Sequence, residues 1–200
     1  MFSKFKPVLT ALFLGSSALA AGAASATTVT ASCPGSVTST TRVFKVTTAA
    51  PGASCFATGT GNLSGNNKGA NPDPLFALMG ATFGAGSQLI DKTDSGPTIL
   101  SATGVSSLSG LWSFILPAAP KGYVWTNLVL AFKSGQGGGP KRNPITGPDW
   151  AAFLLPNGVT SGSWQIATGQ QSLSHANLYG QLVAAPVPLP AAGLALLAGL

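Results

Sequence analysis

The sequence predicts an all-β body, an antiparallel β-sandwich or jelly roll, and two observations lead to this prediction. Short apolar runs alternate along the chain with Gly- and Pro-rich turn signals, a pattern typical of all-β domains. Charged residues make up only 7% of the chain, so Gly, Ser, Thr, Ala and Asn supply most of its polarity. This composition favours strands and turns over solvated helices. The 200 residues fit one domain of this kind.

The candidate strands follow from the apolar runs taken in order. Residues 27–48 are rich in Thr and Val and predict β structure, whereas 59–74 and 135–148 are turn-rich and predict loops. The run at 123–133 is nearly continuous, which predicts a central strand. Residues 150–153 fit either a strand or one helical turn. The further candidate strands are 75–83, 87–92, 97–104, 110–117, 162–168 and 174–182.

The N-terminus has the three parts of a secretory signal peptide. Lys4 and Lys6 give a positive start, residues 7–21 an apolar stretch, and Ala24-Ser25-Ala26 a small-x-small cleavage site. The apolar stretch is too short for a membrane span, and its Gly and Ser weaken the alternative of a buried helix. We expect signal peptidase to cleave after Ala26 and leave Thr27 as the first mature residue.

Cys33 and Cys55 are the only cysteines of the chain. Export places them in an oxidising compartment, where an even pair predicts one disulfide that contributes roughly 3 kcal/mol. The alternative of a metal or redox site is supported neither by their spacing nor by a nearby His.

The sequence offers little for a metal, a cofactor or a nucleic acid. Asn and Asp oxygens in the 59–74 loop are possible calcium ligands, but their spacing misses the usual calcium-loop pattern, so a plain turn-rich connection is preferred. We predict no cofactor. The net charge of +6 is dispersed, with Lys141-Arg142 as an isolated pair, so no nucleic-acid partner is expected.

A catalytic site is not predicted. His175 is the only histidine, and strand alternation places it on one face with Asn177 and Tyr179. A hydrolase would use His175 as base with Ser174 or another serine and an aspartate, but the chain has no G-x-S-x-G elbow. Paired-carboxylate chemistry is poorly supplied because glutamate is absent.

Carbohydrate binding is the more serious alternative. The chain has four tryptophans, and an exposed indole stacks well on the apolar face of a sugar ring. Most tryptophans beside strands are core residues, so the single candidate platform is Trp150, which follows the Gly- and Pro-rich loop.

The C-terminal residues carry a recognisable motif. Val187-Pro188-Leu189-Pro190-Ala191 is followed directly by an apolar stretch, and its prolines favour an extended, accessible segment. This segment resembles the PEP-CTERM sorting signal in its VPLPA variant. The resemblance implies a Gram-negative bacterium, an exosortase partner and a transient membrane helix. Only 12 residues follow Pro188 and no arginine cluster closes the chain, so we expect this signal to be incomplete here.

The last third of the body is similar to a segment found in many PEP-CTERM proteins. The matching positions are Lys133-Ser134-Gly135, Trp150, Phe153, Gly162, Trp164 and 174–180. This similarity implies membership in a group of surface proteins and carries no activity with it.

Together these observations divide the chain into a signal peptide (1–26), a β body (27–184) and a sorting signal with a short apolar helix (185–200). The predicted function is that of an exported, non-catalytic cell-surface or extracellular-matrix protein, with exopolysaccharide as a further partner. A lectin-like module is the alternative, and a secreted hydrolase is the third.

Overall fold

A computed structural model describes residues 27–35, 41–95, 99–135, 147–168 and 171–186. The predicted signal peptide and the Val187–Ala191 motif, with the short helix after it, lie outside these residues. Among the described residues none forms a helix long and apolar enough to cross a membrane. The elements are β1 Thr28–Cys33, β2 Phe44–Ala49, β3 Ser54–Gly59, α1 Pro74–Phe83, β4 Ser87–Lys92, β5 Leu100–Ala102, β6 Ser109–Phe114, β7 Tyr123–Ser134, β8 Trp150–Leu154, β9 Ser161–Ile166 and β10 Leu173–Ala184.

The strands form two five-stranded antiparallel sheets, which confirms the mostly β fold. The first sheet has the order β1-β2-β9-β6-β5, and the second has the order β3-β8-β7-β10-β4. Every strand pair within them is antiparallel. The arrangement is sandwich-like, because one hydrophobic cluster takes side chains from both sheets.

The main core lies between the two sheets. Phe132 of the second sheet stacks on Trp164 of the first at a centroid distance of 5.8 Å, and it meets Phe153 edge-on at 6.3 Å. Alternate residues of β2, β6 and β9 point into the same space, as expected for strands with one buried face.

The second sheet is covered on its outer face as well. Leu63 of the long loop and Leu75 and Met79 of α1 pack there against Val129 and Ala131 of β7. A strand buried on both faces needs apolar residues at every position, which explains the unbroken apolar stretch at 128–132 within the run at 123–133. The prediction that this run is a central strand is confirmed, since β7 lies third in its sheet.

Two sequence predictions were wrong. Residues 75–83 are helical and not a strand, because Asp73 caps the helix by accepting the Leu75 amide at 2.9 Å and Pro74 occupies its first turn. The strand β3 was missed, since its sequence SCFATG lacks β-branched apolar residues. The ambiguous segment at 150–153 is a strand.

The body has two distinct ends. At the end we call the terminal end, the connections 50–53, 115–122 and 155–160 cross between the sheets. Both limits of the described body lie there, since the Ala50 amide donates to Thr27 O at 2.8 Å and the Ala185 amide donates to Gly122 O at 2.8 Å. The opposite end, the loop end, carries the long connections, including 60–73.

The predicted disulfide is present. Cys33 at the end of β1 is bonded to Cys55 in β3, with a Cα–Cα distance of 5.1 Å. These strands are edge strands of different sheets, so the bond joins the two layers of the sandwich covalently.

Candidate functional site

The single histidine lies at the loop end, buried on the outer face of the second sheet. His175 Nε2 is 3.0 Å from Leu63 O, and because a carbonyl only accepts, this nitrogen carries the proton. The other ring nitrogen, Nδ1, then accepts from the Ser174 hydroxyl at 3.2 Å. Both nitrogens of the neutral ring are therefore occupied by groups of the chain itself.

This geometry does not build a catalytic triad. In a triad the base contacts its serine and its aspartate through opposite ring nitrogens. Here Asp94 Oδ2 approaches the same Nδ1 as Ser174, at 3.8 Å, while Nε2 is held by a backbone carbonyl. Burial lowers the pKa of His175, and the Leu63 hydrogen bond and the Asp94 charge oppose this only in part. The ring is thus held in its neutral form.

The predicted grouping of His175, Asn177 and Tyr179 on one face is confirmed. Asn177 Nδ2 donates to Leu63 O at 3.2 Å and to the Tyr179 hydroxyl at 2.7 Å. The Tyr179 hydroxyl in turn donates to Asp73 Oδ2 at 2.7 Å. Burial, followed by the Asp73 charge, raises the pKa of Tyr179, so the phenol stays protonated. The polar row fastens the long loop and the start of α1 to the sheet.

A second polar cluster, which the sequence reasoning missed, surrounds the buried Arg42. Its guanidinium donates to Ser134 Oγ at 2.8 Å, pairs with Asp149 Oδ1 at 3.3 Å and reaches the Gln171 side-chain oxygen. Lys133 Nζ donates to the Ser134 carbonyl. The only sequence signal for this cluster was the Lys133-Ser134 pair at the end of an otherwise apolar strand.

Lys133 is not available as a nucleophile or base. Burial lowers its pKa, Asp149 opposes that shift, and the Arg42 charge adds to it. The amine is nevertheless committed to a backbone carbonyl, and Asp149 is committed to Arg42 and to the Gly61 amide at 2.8 Å. The cluster ties strands and loops of the loop end together.

Trp150 is not a sugar-stacking platform. Its side chain is only 2% exposed, because the indole lies over Gly59 on the neighbouring strand and packs against the cover of the second sheet. Its Nε1 is 3.3 Å from Thr60 O, to which it donates. The prediction failed because a Gly- and Pro-rich loop next to a tryptophan does not make its ring exposed when the cross-strand partner is glycine.

All four tryptophans cover a glycine of a neighbouring strand. A glycine leaves the space of a missing Cβ, which a large flat ring can occupy. The strands β6 and β9 both read S-G-x-W and pair antiparallel, so each supplies the tryptophan for the other's glycine. The pairs are Trp112 on Gly162, Trp164 on Gly110, Trp150 on Gly59 and Trp125 on Gly180.

The outer face of the first sheet bears a surface that no prediction addressed. Ser101, Ser113 and Ser161 are cross-strand neighbours in one row, and their hydroxyls have no hydrogen-bond partner among the described residues. Together with Thr103 and Leu111 they line a shallow cavity of about 440 Å³. We call these five residues the hydroxyl face. The Leu111 side chain is 62% exposed and gives the cavity an apolar patch.

The 59–74 loop does not hold its carboxylate free for calcium. Asp73 accepts from the amides of Gly65, at 2.8 Å, and Leu75, and also from Tyr179. Within the described part of the chain no three His, Cys, Asp or Glu side chains are grouped as metal ligands would be.

Comparisons with known proteins identify no relative of this chain. No family model matches it. Neither the curated proteins nor the solved structures include a significant match. The cleavage residues Ala24 and Ala26 and the sorting motif lie outside the described residues, whereas Thr27 begins them.

Proposed function

We propose that this chain is an exported, non-catalytic surface or extracellular-matrix protein of a Gram-negative bacterium. In this proposal a signal peptide delivers a jelly-roll-like sandwich, and an exosortase-type signal then sorts it. The observation that carries the proposal is the Val187-Pro188-Leu189-Pro190-Ala191 motif directly after the last strand of the body, with an export signal at the other end.

The disulfide supports export. A bond that joins the two layers of a sandwich contributes to stability only where it can form and persist, which is outside the reducing cytoplasm. The buried cations support a structural role for the body, because Arg42 and Lys133 are hydrogen-bonded to groups of the chain itself. Polar groups that brace the loops in this way favour a rigid scaffold.

The test follows the protein expressed from its own complete gene, so that any part of the sorting signal beyond Leu200 is included, in a bacterium that encodes an exosortase and in its exosortase-deletion strain. In the parent strain we expect an N-terminus at Thr27, removal of the tail and delivery to the outside. The double variant Pro188→Ala with Pro190→Ala should keep its tail and accumulate in membranes. Pro186→Ala, just before the motif, is the matched control and should behave as the wild type. Equal mass and distribution in both strains would refute exosortase sorting.

A lectin-like module is the second candidate, and the hydroxyl face favours it. A row of free hydroxyls beside an exposed leucine can hydrogen-bond the hydroxyl groups of a neutral sugar and pack against its apolar C–H face. The test is binding to the producer's own exopolysaccharide by calorimetry. Ser113→Ala with Ser161→Ala should weaken binding, and Ser54→Ala, an exposed serine of the other sheet, should not. Equal loss in both variants would count against this face.

A further inference from the structure

Each sheet of the body has two edge strands, and three of these four edges are protected against further pairing. The edge strand β3 has a register irregularity between Cys55 and Ala57, as a β-bulge produces. The edge strand β4 is interrupted in the same way against β10 and ends in the charged pair Asp91-Lys92. The edge strand β5 is only three residues long. Bulges, charges and short lengths are devices by which native sheets prevent edge-to-edge pairing.

The fourth edge, β1, has none of these devices. Its sequence TVTASC contains no charged residue, proline or glycine, and half of it is β-branched. It pairs with β2 along its whole length without a register shift. The disulfide at Cys33 fixes the end of the strand to β3, so the strand is held in place before any partner arrives. The strand β1 is therefore a regular, preorganised template for another strand.

Every second residue of β1 turns its backbone groups away from the sheet. The Ala50 amide donates to Thr27 O, and in an antiparallel ladder every second residue after Thr27 then faces β2 in the same way. The N–H and C=O groups of Thr28, Thr30 and Ser32 therefore face outward. They have no hydrogen-bond partner among the described residues. Thr28 and Thr30 are exposed, and Ser32 is half-buried.

We propose that β1 pairs antiparallel with β1 of a second copy of this chain, about a two-fold axis at Thr30. In this register Thr30 lies opposite its own copy and Thr28 lies opposite Ser32. Every outward-facing backbone group of both strands then gains a partner. The first sheets of the two copies join into one continuous sheet. The inference concerns the folded body alone and is independent of the sorting route.

A second copy is favoured because the strand is complementary to itself. Thr–Thr and Thr–Ser pairs across strands stabilise a sheet through their hydroxyls. The body already contains such a pair, since Thr30 Oγ1 lies 2.7 Å from Thr47 Oγ1. The row of Lys45 and Ser32 continues into an uncharged row of the second copy, so the two lysines do not oppose each other. A two-fold contact also closes on itself and ends at a dimer.

The experiment measures the oligomeric state of the exported protein, purified after signal removal, by sedimentation velocity at increasing concentration. We expect a reversible dimer for the wild type. Thr30→Asp and Thr30→Lys, each measured alone, should raise the dimer Kd about tenfold, because each replaces a Thr–Thr pair by directly opposed like charges. Mixed in equal amounts, the two variants should form a heterodimer. Ser113→Asp, at an exposed serine of β6 on the same face, is the matched control and should dimerise as the wild type does.

Hydrogen exchange of the wild type supplies a second, residue-resolved readout. In the monomer the Thr30 amide should exchange fast and the amides of Val29 and Ala31 slowly, because only the latter two face β2. Raising the protein concentration should protect the Thr30 amide and leave the other two unchanged. Thr30→Pro removes the outward N–H but keeps the ladder to β2, so it should weaken the dimer while the monomer keeps the wild-type circular dichroism.

Each remaining outcome overturns the inference. A wild type that stays monomeric at every concentration would leave β1 to a strand of another protein. A dimer that both charged variants leave intact would assign association to another surface. Variants that are weak alone and stay weak when mixed would also contradict it, because opposite charges must restore a contact in which residue 30 faces its own copy.

Discussion

Breaking the Cys33–Cys55 bond gives the most direct test of how this body is stabilised. The two cysteines are separated by 22 residues, and the bond closes that loop in the unfolded chain. The loop-entropy relation gives about 3 kcal/mol for a loop of this length. For a body of this size, that loss lowers the Tm by about 6–12 °C.

The assay is urea unfolding followed by circular dichroism, on four samples. Wild-type protein is measured oxidised and after reduction, which keeps every heavy atom in place. The double variant Cys33→Ala with Cys55→Ala is measured under the same two conditions. Reduction should destabilise the wild type by about 3 kcal/mol and leave the variant unchanged. The variant should be somewhat less stable than the reduced wild type, because Cys33 is fully buried and its sulfur fills core space.

A reduced wild type within about 1 kcal/mol of the oxidised protein would refute the loop-closure reasoning. It would mean that the unfolded chain already holds the two segments together, or that the native bond is opposed by distortion of the strands it joins.

Three further substitutions, two of them with a comparison variant, test the packing and the polar row. Gly110→Ala should destabilise the body by about 2 kcal/mol or more, because its Cβ would lie 2.0 Å from a backbone carbonyl oxygen. Gly80→Ala, on the helix with open space around it, should instead stabilise the body by about 0.5–1 kcal/mol. Tyr179→Phe removes a hydroxyl that donates to a buried carboxylate and should lower the free energy of unfolding by about 1.5–3 kcal/mol. Tyr123→Phe, at an exposed tyrosine, should change the free energy of unfolding little. Equal effects of the two variants would contradict the assigned network. Burial holds the pKa of His175 below its ordinary value of about 6.5, so the unfolded chain binds the proton first as the pH falls. The free energy of unfolding should therefore decrease below about pH 6.5 until the folded ring protonates, and His175→Asn should flatten this decrease; an unchanged slope would contradict it.

The sequence predicts the sheets better than it predicts their cover. Alternation and turn signals locate most strands, and the unbroken run of β7 identifies the strand that is buried on both faces. The helix α1 was assigned as a strand because apolar content outweighed a short start signal, Asp73-Pro74. The second sheet is covered by α1 and by the 60–73 loop, and their position on it depends on tertiary contacts that a local sequence pattern does not predict.

The site shows the same division. Strand alternation places His175, Asn177 and Tyr179 together, but their partners Leu63 and Asp73 come from a loop more than 100 residues earlier in the chain. The tryptophans were open to a binding role in the sequence because their glycine partners are visible only once the strand register is known. Whether a tryptophan of this body is buried therefore depends on its cross-strand partner, which composition does not reveal.

Because both limits of the described body lie at its terminal end, attachment and display are physically separate in this molecule. A new segment inserted into the exposed 66–71 stretch would project from the side of the long loops, while the strand that leads to the tail would keep its pairing with Gly122. The same geometry suits the body to being spliced into a surface turn of another protein, since entry and exit points are on one side. Loops on the distant side can diverge in length and chemistry without disturbing how the molecule is held.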